Sequence, residues 1–384
     1  MVHEVLGRID NLLPVLRDRA WETEDKASVS ADTMEHLADT GLFRLMQPRQ
    51  WGGAAADPTI FFEAIRRMSG ACGSTGWVAS VLGVHPWHLA QFDQQAQRDV
   101  WGADPGALIC SSYAPMGVAA RVEGGYRVTG NWRYSSGSGH AGWAIVGAPV
   151  PEDGVFGAFL IPRGDYRIDE VWDTYGLRGT GSNTLVVEEV FVPEHRFLDF
   201  AILDAFQAPG PQVNSEKLYR MPWGTIFPAT ITTPVIGMAY GALSNYIAYQ
   251  GERMRAAYFG EPAKTDPFIA IRVGRTSSDI DASWEQMSGN IARAYELVCA
   301  GQEVPMALRM KARRDQARAA ERCVAAANSL MESAGAAALD SAQPLQRLYR
   351  DIRAARHQAT NEPERPLVMY GQDQFGLDPL KIMV

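Results

Sequence analysis

The spacing of the apolar residues changes twice along this chain, and these changes constrain the fold more than any other feature. Up to about residue 103, apolar side chains recur every three or four residues, as on the buried face of a helix. Ser30 is the predicted N-cap of one of these helices. From about residue 105 to 200 the repeat shortens and turn residues become frequent, which is typical of strands. Helical spacing then returns and lasts to about residue 356. Its clearest stripe is Trp284, Met287, Ile291, Tyr295 and Val298.

The central segment has the marks of an antiparallel sheet. Gly124-Gly125 and Glu152–Gly154 each separate two strand-like runs, as the turn of a β-hairpin does. Thr184–Val192 is a long run rich in β-branched residues, and Pro193 closes it. No run of about ten residues with helical spacing lies between these strands, although parallel strands would need such crossovers. The sequence therefore predicts a mainly α protein with a central antiparallel β-domain.

The same changes divide the chain into four predicted parts. Residues 1–104 form an N-terminal helical domain, and residues 105–222 form the β-domain together with a connecting loop. Residues 223–360 form a C-terminal helical bundle, which includes one long helix over Met306–Ala334. Prolines and glycines near the ends of residues 361–384 predict an extended tail that packs on the body.

Composition and charge exclude several classes of function. Asp plus Glu number 44 against 36 for Lys plus Arg, and the net charge of −8 argues against sequence-independent binding of nucleic acid or anionic lipid. No run approaches the roughly 20 apolar residues that span a bilayer, and the first residues carry charges where a secretion signal is apolar. The cysteines lie far apart, which predicts free thiols. We therefore expect a cytoplasmic protein with no membrane or nucleic-acid partner. The four cysteines are Cys72, Cys110, Cys299 and Cys323.

The common catalytic motifs are absent or incomplete. His85 and His88 form H-x-x-H, but Pro86 is expected to break the helix that would aim both at one ion, so no metal site is predicted. Arg178–Asn183 is glycine-rich but lacks the third glycine of the dinucleotide fingerprint and precedes a strand. Ser135–Gly139 comes close to a serine hydrolase elbow, yet no helix follows it. It is either a hairpin end or a polar loop that lines a ligand, and the aromatic residues nearby are either core or stacking walls.

Longer motifs resemble the acyl-CoA dehydrogenase superfamily over nearly the whole chain. They are Thr40–Pro48 with Trp51–Gly53, Cys72–Trp77, Val190–Pro193 and Arg350-Asp351. A further set is similar to the reduced-flavin-dependent aromatic monooxygenases of that superfamily, namely Gly83–Ala90, Ser111–Met116, Gly176–Val187 and Tyr219–Gly224. The resemblance implies N-terminal helices, a middle β-barrel and a C-terminal helical bundle, assembled as a homotetramer.

The resemblance implies the oxygenase component of a two-component flavin-dependent monooxygenase. Reduced flavin, FMNH2 or FADH2, would come from a separate NAD(P)H-dependent reductase. It would react with O2 to form a C4a-hydroperoxide, whose distal oxygen would pass to a small aromatic substrate. That substrate would be a phenol, and a steroid-derived one in the members most similar to this chain. The alternatives are N-oxygenation of an amine or amino sugar, an acyl-CoA dehydrogenase-like flavoprotein, and a flavin binder without activity. Dehydrogenation is disfavoured because Val368–Asp373 has no glutamate before Gly371, where many acyl-CoA dehydrogenases carry the catalytic base.

Site residues are also implied by position in these motifs. Ser136 is the candidate that meets the reactive edge of the flavin and acts in catalysis. The flavin-facing wall as a whole comprises Trp77, Ser111, Ser112, Tyr113, Tyr134, Ser135 and Ser136.

The C-terminal half contributes the remaining implied site residues. Arg253 matches an arginine at the flavin phosphate end, often across a subunit interface, and Ala336 with Ala337 matches a close-approach backbone segment. The family places a catalytic histidine in the late helix, and this chain has Gln358 at that position. His357 stands one residue earlier, and one residue of a helix turns the side chain by about 100°. We take His357 as the catalytic candidate and Gln358 as a flavin contact. The alternative bases are His140, Tyr113 and solvent.

Overall fold

Helices form both ends of the chain and strands its centre in the computed structural model, which describes residues 2–255, 260–381 and 383–384. The N-terminal helices are α1 (Val2–Asp18), α2 (Ala20–Asp25), α3 (Ala31–Asp39), α4 (Pro58–Ala71), α5 (Gly73–Leu89) and α6 (Gln94–Trp101). Two short helices, α7 (Phe200–Asp204) and α8 (Gly210–Val213), occupy the predicted connecting loop. The C-terminal helices are α9 (Trp223–Glu252), α10 (Pro267–Cys299), α11 (Met306–Ala334), α12 (Pro344–Ala355) and α13 (Glu364–Gln374). The mainly α fold and the long helix over Met306–Ala334 are confirmed. Ser30 caps α3, its Oγ accepting from the Thr33 N–H at 3.2 Å.

Within the described part of the chain, the strands form two four-stranded sheets and one two-stranded sheet. They are β1 (Ile109–Ser112), β2 (Gly117–Val122), β3 (Gly125–Ser135), β4 (Trp143–Val150), β5 (Val155–Pro162), β6 (Arg167–Asp169), β7 (Asn183–Pro193), β8 (Phe197–Asp199), β9 (Met254–Arg255) and β10 (Glu261–Pro262). One sheet has the order β1-β4-β5-β8, the other β2-β3-β7-β6, and β9 pairs with β10. Both predicted hairpins, β2–β3 and β4–β5, are confirmed.

The two four-stranded sheets do not close into the barrel that the resemblance implied. Each sheet is open, and β1 pairs with β4 in parallel, with Ile109 opposite Trp143, while the other pairs are antiparallel. The hairpin β2–β3 lies between β1 and β4 in the chain but belongs to the other sheet, so it serves as the crossover that a parallel pair needs. The central antiparallel sheets that the sequence predicted are confirmed, with this one parallel pair among them, whereas the closed barrel that the resemblance implied is not formed.

Helix α9 is the centre of the helical body. It packs against α4, α5, α10, α11 and α12, and its glycines allow close contact with α4, since a Cβ on Gly241 would overlap the carbonyl oxygen of Gly70. Among the residues that the structure describes, α9 alone is long and apolar enough to cross a bilayer, with a mean hydropathy of 1.3 in its most apolar stretch. That stretch is 94% buried inside the protein, as expected of a core helix.

Two local predictions were wrong. Helix α5 continues through Pro86, just as α9 continues through Pro228 and Pro234, because the packing of these buried helices outweighs the one hydrogen bond that each proline removes. Residues 361–384 are not an extended tail throughout, since α13 lies within them and its Met369 packs against Met310 of α11. The prolines and glycines there mark the ends of a helix. The domain limits proposed at 104, 222 and 360 stay predictions.

Candidate active site

The buried helix α5 carries residues that contact two separate parts of the β-domain, and the candidate site lies at these two contacts. Every residue of α5 is buried, as expected of a helix that is apolar all round. Trp77 contacts the end of β3, while His85 and His88 contact β1 and the residue that follows it. Eight residues of helix rise about 12 Å, so Trp77 and His85 are separated by about that distance along α5.

Three hydroxyl groups form a continuous hydrogen-bonded chain beside Trp77. The indole Nε1 of Trp77 donates to Ser136 Oγ at 3.0 Å, and Ser136 Oγ lies 2.7 Å from Ser182 Oγ. Ser182 Oγ lies 2.6 Å from Thr180 Oγ1, which donates to the carbonyl oxygen of Leu177 at 2.8 Å. We call Ser136, Ser182 and Thr180 the hydroxyl chain, and all three are buried. The predicted site residues Trp77 and Ser136 are therefore in direct contact.

The segments that carry the hydroxyl chain have unusual backbone conformations. Tyr134 (φ 66°) and Gly137 (φ 71°) flank Ser136, and Leu177 (φ 52°) begins the second segment. Positive φ is uncommon outside glycine and persists where surrounding contacts hold it, often at functional sites. The Tyr134 ring is 53% exposed and lies edge-on to Trp172, with 6.3 Å between ring centroids. An aromatic surface therefore opens to solvent two residues from Ser136.

A buried carboxylate anchors the Leu177 end of this arrangement. Asp351 of α12 accepts a hydrogen bond from the Leu177 N–H at 2.6 Å. Gly176 packs directly on α12, where a Cβ would overlap the carbonyl group of Arg350. Burial raises the pKa of Asp351 to about 6, with the Leu177 N–H acting in the opposite direction. The C-terminal helical bundle thus fixes a loop of the β-domain.

Residues 111–113 make three side-chain hydrogen bonds, two of which connect them to α5. Ser111 Oγ lies 2.8 Å from His85 Nε2, and the Tyr113 hydroxyl lies 2.6 Å from His88 Nδ1. Which atom donates in each pair depends on the histidine tautomer. Ser112 points to the opposite side, as alternate residues of an extended chain do, and donates to the Arg133 carbonyl at 2.8 Å. Ser112 therefore joins β1 to β3 instead of facing the histidines.

Aromatic rings surround Tyr113. Phe200, Trp223 and Phe227 lie edge-on to it at centroid distances of 5.8, 6.0 and 5.0 Å, and Trp223 stacks on Phe227 at 4.5 Å. The indole Nε1 of Trp223 is buried without a hydrogen-bond partner in the described part of the chain. Such walls suit a planar apolar ring that carries a polar group. We call the following residues the aromatic–histidine cluster: His85, His88, Ser111, Tyr113, Phe200, Trp223 and Phe227.

A cavity of about 350 Å³ is lined by residues that are near neighbours of the aromatic–histidine cluster in the sequence, but by none of the cluster itself. Among its lining residues, Gln91 lies one turn beyond His88, Leu203 lies one turn beyond Phe200, and Met221 lies just before α9. This volume is within the range of sites for small organic molecules.

Both histidines of the cluster are neutral at physiological pH. Complete burial lowers the pKa of His85 and of His88 to about 3, and repulsion from His85 adds to the effect at His88. Among the described residues, His85 Nδ1 and His88 Nε2 have no hydrogen-bond partner. Buried polar atoms are nearly always paired in folded proteins. These two nitrogens are therefore available to a ligand, and a neutral imidazole can accept a hydrogen bond.

The residues matched to the flavin phosphate end lie together. Arg253 follows α9, donates to the Ser333 carbonyl at 3.4 Å and lies over the ring of Tyr249. A Cβ on Gly335 would overlap the Arg253 guanidinium, so glycine at this position lets the cation lie against the backbone. Ala336–Ala337 comes next and is exposed. A cation beside accessible backbone suits an anionic group.

Three other predicted site residues have contacts of a different kind. Ser135 Oγ donates to the Trp132 carbonyl at 3.3 Å, within its own strand. Gln358 Oε1 accepts from both the backbone N–H and the hydroxyl of Thr360 at 2.6 Å, which caps the next turn. His357 is exposed just beyond the end of α12. The described contacts connect neither His357 nor Gln358 to the hydroxyl chain, and their roles stay predictions.

Sequence reasoning missed several residues of the site. His85 and His88 were considered as metal ligands, yet within the described ranges no three His, Cys, Asp or Glu side chains come together to hold a metal ion. The signal for a ligand site was an H-x-x-H pair in an otherwise apolar helix without a nearby charge. Ser182 and Thr180 stand in the glycine-rich stretch, but only the fold shows that they meet Ser136.

Comparison with protein-family models identifies the architecture. Residues 12–104 match the model "Acyl-CoA dehydrogenase, N-terminal domain", and residues 229–362 match "Acyl-CoA dehydrogenase, C-terminal domain". The chain is also 34% identical to the FADH(2)-dependent resorcinol hydroxylase, oxygenase component, of Rhizobium sp. (strain MTP-10005), over 98% of this chain and 95% of that protein. The chain therefore belongs to the flavin-dependent monooxygenases of the acyl-CoA dehydrogenase family, as an oxygenase component.

Two further relatives are more similar. The chain is 56% identical to the flavin-dependent monooxygenase, oxygenase subunit HsaA, of Rhodococcus jostii (strain RHA1), over 99% of this chain and 100% of that protein. The crystal structure of 3-HSA hydroxylase from Rhodococcus sp. RHA1 superposes with a TM-score of 0.95 at 54% identity, covering 100% of this chain and 99% of that one. The predicted family and enzyme class are confirmed.

Proposed function

We propose that this oxygenase component hydroxylates a phenolic ring held at the aromatic–histidine cluster, with reduced flavin bound beside Ser136. One observation carries the proposal. Two buried, neutral imidazoles, those of His85 and His88, each have a ring nitrogen with no partner among the described residues, and both lie beside aromatic walls. The name of the resorcinol hydroxylase supports an aromatic substrate.

The residues present fit a flavin. Ser136 with Trp77 offers polar contacts to a ring edge, and the exposed ring of Tyr134 beside Trp172 offers a surface for stacking. Arg253 offers a cation to a phosphate group. When bound, reduced flavin activates O2 and supplies the oxygen atom that is transferred. These contacts suit FMNH2 and FADH2 alike, and the proposal includes both.

The chain's own task is to hold the phenol by its hydroxyl group and to orient its ring. Because their pKa is lowered to about 3, the two imidazoles stay neutral, and each can accept a hydrogen bond from the phenol hydroxyl. Ser111 and Tyr113 fix the orientation of the two rings through the nitrogens that a substrate would not contact. Trp223 and Phe227 keep water away from the ring, which favours productive transfer over release of peroxide.

The proposal includes a separate NAD(P)H-dependent reductase, because the relatives are named as oxygenase subunits or components. It also includes a homotetramer in the cytoplasm. Exposed apolar side chains near the junction of α9 and α10 and after α13 support burial between copies of the chain. They are Ile247, Phe268, Ile271, Leu377 and Leu380. Light scattering of the purified protein should give the mass of four chains, and a monomer would contradict the assembly.

The test compares a phenol with its O-methyl ether. The protein with reduced flavin is mixed with O2 and either compound, and hydroxylated product and hydrogen peroxide are both measured. The phenol should give product, whereas the ether, which has no proton for the imidazoles, should give mainly peroxide. His85→Gln and His88→Gln should each lower the product fraction with the phenol. Equal hydroxylation of phenol and ether would overturn the proposal.

A further inference from the structure

The two ends of the hydroxyl chain fix its direction. At one end, the Trp77 indole can only donate, and it donates to Ser136 Oγ at 3.0 Å. At the other end, the Leu177 carbonyl can only accept, and it lies 2.8 Å from Thr180 Oγ1. The same carbonyl also accepts from Trp172 Nε1 at 2.9 Å, so it is held in place from a second side.

Each hydroxyl has one proton, which sets the order of donors. Thr180 gives its proton to the Leu177 carbonyl, so it accepts from Ser182. Ser182 has then used its proton, so it accepts from Ser136. Ser136 therefore accepts from Trp77, donates to Ser182 and has no proton left. Only a lone pair of Ser136 Oγ remains for a ligand.

The opposite order is unfavourable in this geometry. If Thr180 donated to Ser182, its oxygen would face the Leu177 carbonyl oxygen at 2.8 Å with no proton between them. The contact would change from a hydrogen bond to repulsion between two acceptors. Leu177 cannot move away easily, because its N–H is bound to Asp351 at 2.6 Å.

We propose that Thr180 and Ser182 are positioning residues that hold Ser136 Oγ as a hydrogen-bond acceptor toward N5 of the flavin. Reduced flavin carries a proton on N5, whereas N5 of oxidised flavin is an acceptor. An acceptor at Ser136 therefore favours the reduced form. The inference rests on the proposed flavin site beside Ser136 and adds to it a reason why the oxygenase selects the flavin state that a reductase delivers.

The test is the ratio of the dissociation constants for oxidised and reduced flavin, measured by anaerobic titration. Thr180→Val removes the acceptor for the Ser182 proton, so Ser182 can donate to Ser136 and Ser136 can donate to oxidised flavin. Ser182→Ala releases the Ser136 proton directly. Each change should lower the preference for reduced flavin by about threefold to tenfold, the effect of one hydrogen bond. Thr180→Ser keeps the hydroxyl and should restore the preference.

The outcomes separate this inference from the proposed function. Wild-type protein that binds reduced flavin without preference, or variants with an unchanged ratio, would overturn the role of Thr180 and Ser182. Wild-type protein that binds no reduced flavin would instead contradict the flavin site itself. Thermal unfolding of the apoproteins reports on the fold. If Thr180→Val does not fold, Ser182→Ala decides the question, since it leaves the contact between Thr180 and the Leu177 carbonyl in place.

Discussion

Lowering the pH should destabilise this protein through His85 and His88. In the unfolded chain their pKa returns to the ordinary value of 6.5, whereas burial lowers it to about 3 in the folded state. Below pH 6.5 the unfolded state therefore binds protons that the folded state does not. The stability that these groups contribute is complete above pH 6.5 and is lost as the pH falls toward 3.

The magnitude follows from the size of the shift. A pH of 5 is about 1.5 units below the pKa of each imidazole in the unfolded chain. Each histidine therefore lowers the free energy of unfolding by about 2 kcal/mol at this pH, and the pair lowers it by about 4 kcal/mol. The assay is urea unfolding at pH 7.5, 6 and 5 at one fixed protein concentration. His85→Gln should remove about half of this pH-dependent loss, because glutamine does not titrate. The exposed His357 supplies the matched control, and His357→Gln should leave most of the loss in place. An unchanged pH dependence in His85→Gln would refute the reasoning.

Three further predictions concern the hydroxyl chain, its anchor and the phosphate end. Ser136→Ala should raise the ratio of hydrogen peroxide to hydroxylated product by up to about tenfold, the effect of one hydrogen bond, and an unchanged ratio would remove Ser136 from the site. Asp351→Ala should lower the free energy of unfolding by about 1–3 kcal/mol, because the Leu177 N–H is left buried and unpaired, while Asp351→Asn, which keeps an acceptor, should cost less in the same urea titration. Gly335→Ala should weaken flavin binding in equilibrium titration, because the methyl group displaces the Arg253 guanidinium and strains a φ of 83°; unaltered affinity would place the phosphate elsewhere.

Much of the fold could be predicted from local patterns. The stripe around Met287, the run Thr184–Val192 and the Ser30 cap depend on neighbours within a few residues, and each is confirmed. The parallel pairing of Ile109 with Trp143 depends on partners far apart in the chain, so the repeat of apolar residues could not reveal it. Pro86 misled the prediction because the tertiary packing of a buried helix can outweigh the cost of a proline, and the local sequence does not show that packing.

The site was less accessible to prediction from the sequence. The contact of Trp77 with Ser136 joins residues 59 positions apart, and only the family resemblance indicated both. The bond between Ser182 and Ser136 and the anchor at Asp351 arise where three parts of the chain meet, and no spacing in the sequence encodes such a meeting. The histidines could be found by their H-x-x-H spacing, but their function depends on burial, which is a property of the fold.

The most direct test of the account is the source of the oxygen in the product. The protein with reduced flavin is mixed with a phenol under ¹⁸O₂ in ordinary water, and the product is analysed by mass spectrometry. The account predicts a dihydroxylated ring that contains one ¹⁸O atom from O2. A product whose new oxygen comes from water, or O2 consumption that yields only hydrogen peroxide with every phenol tried, would contradict it.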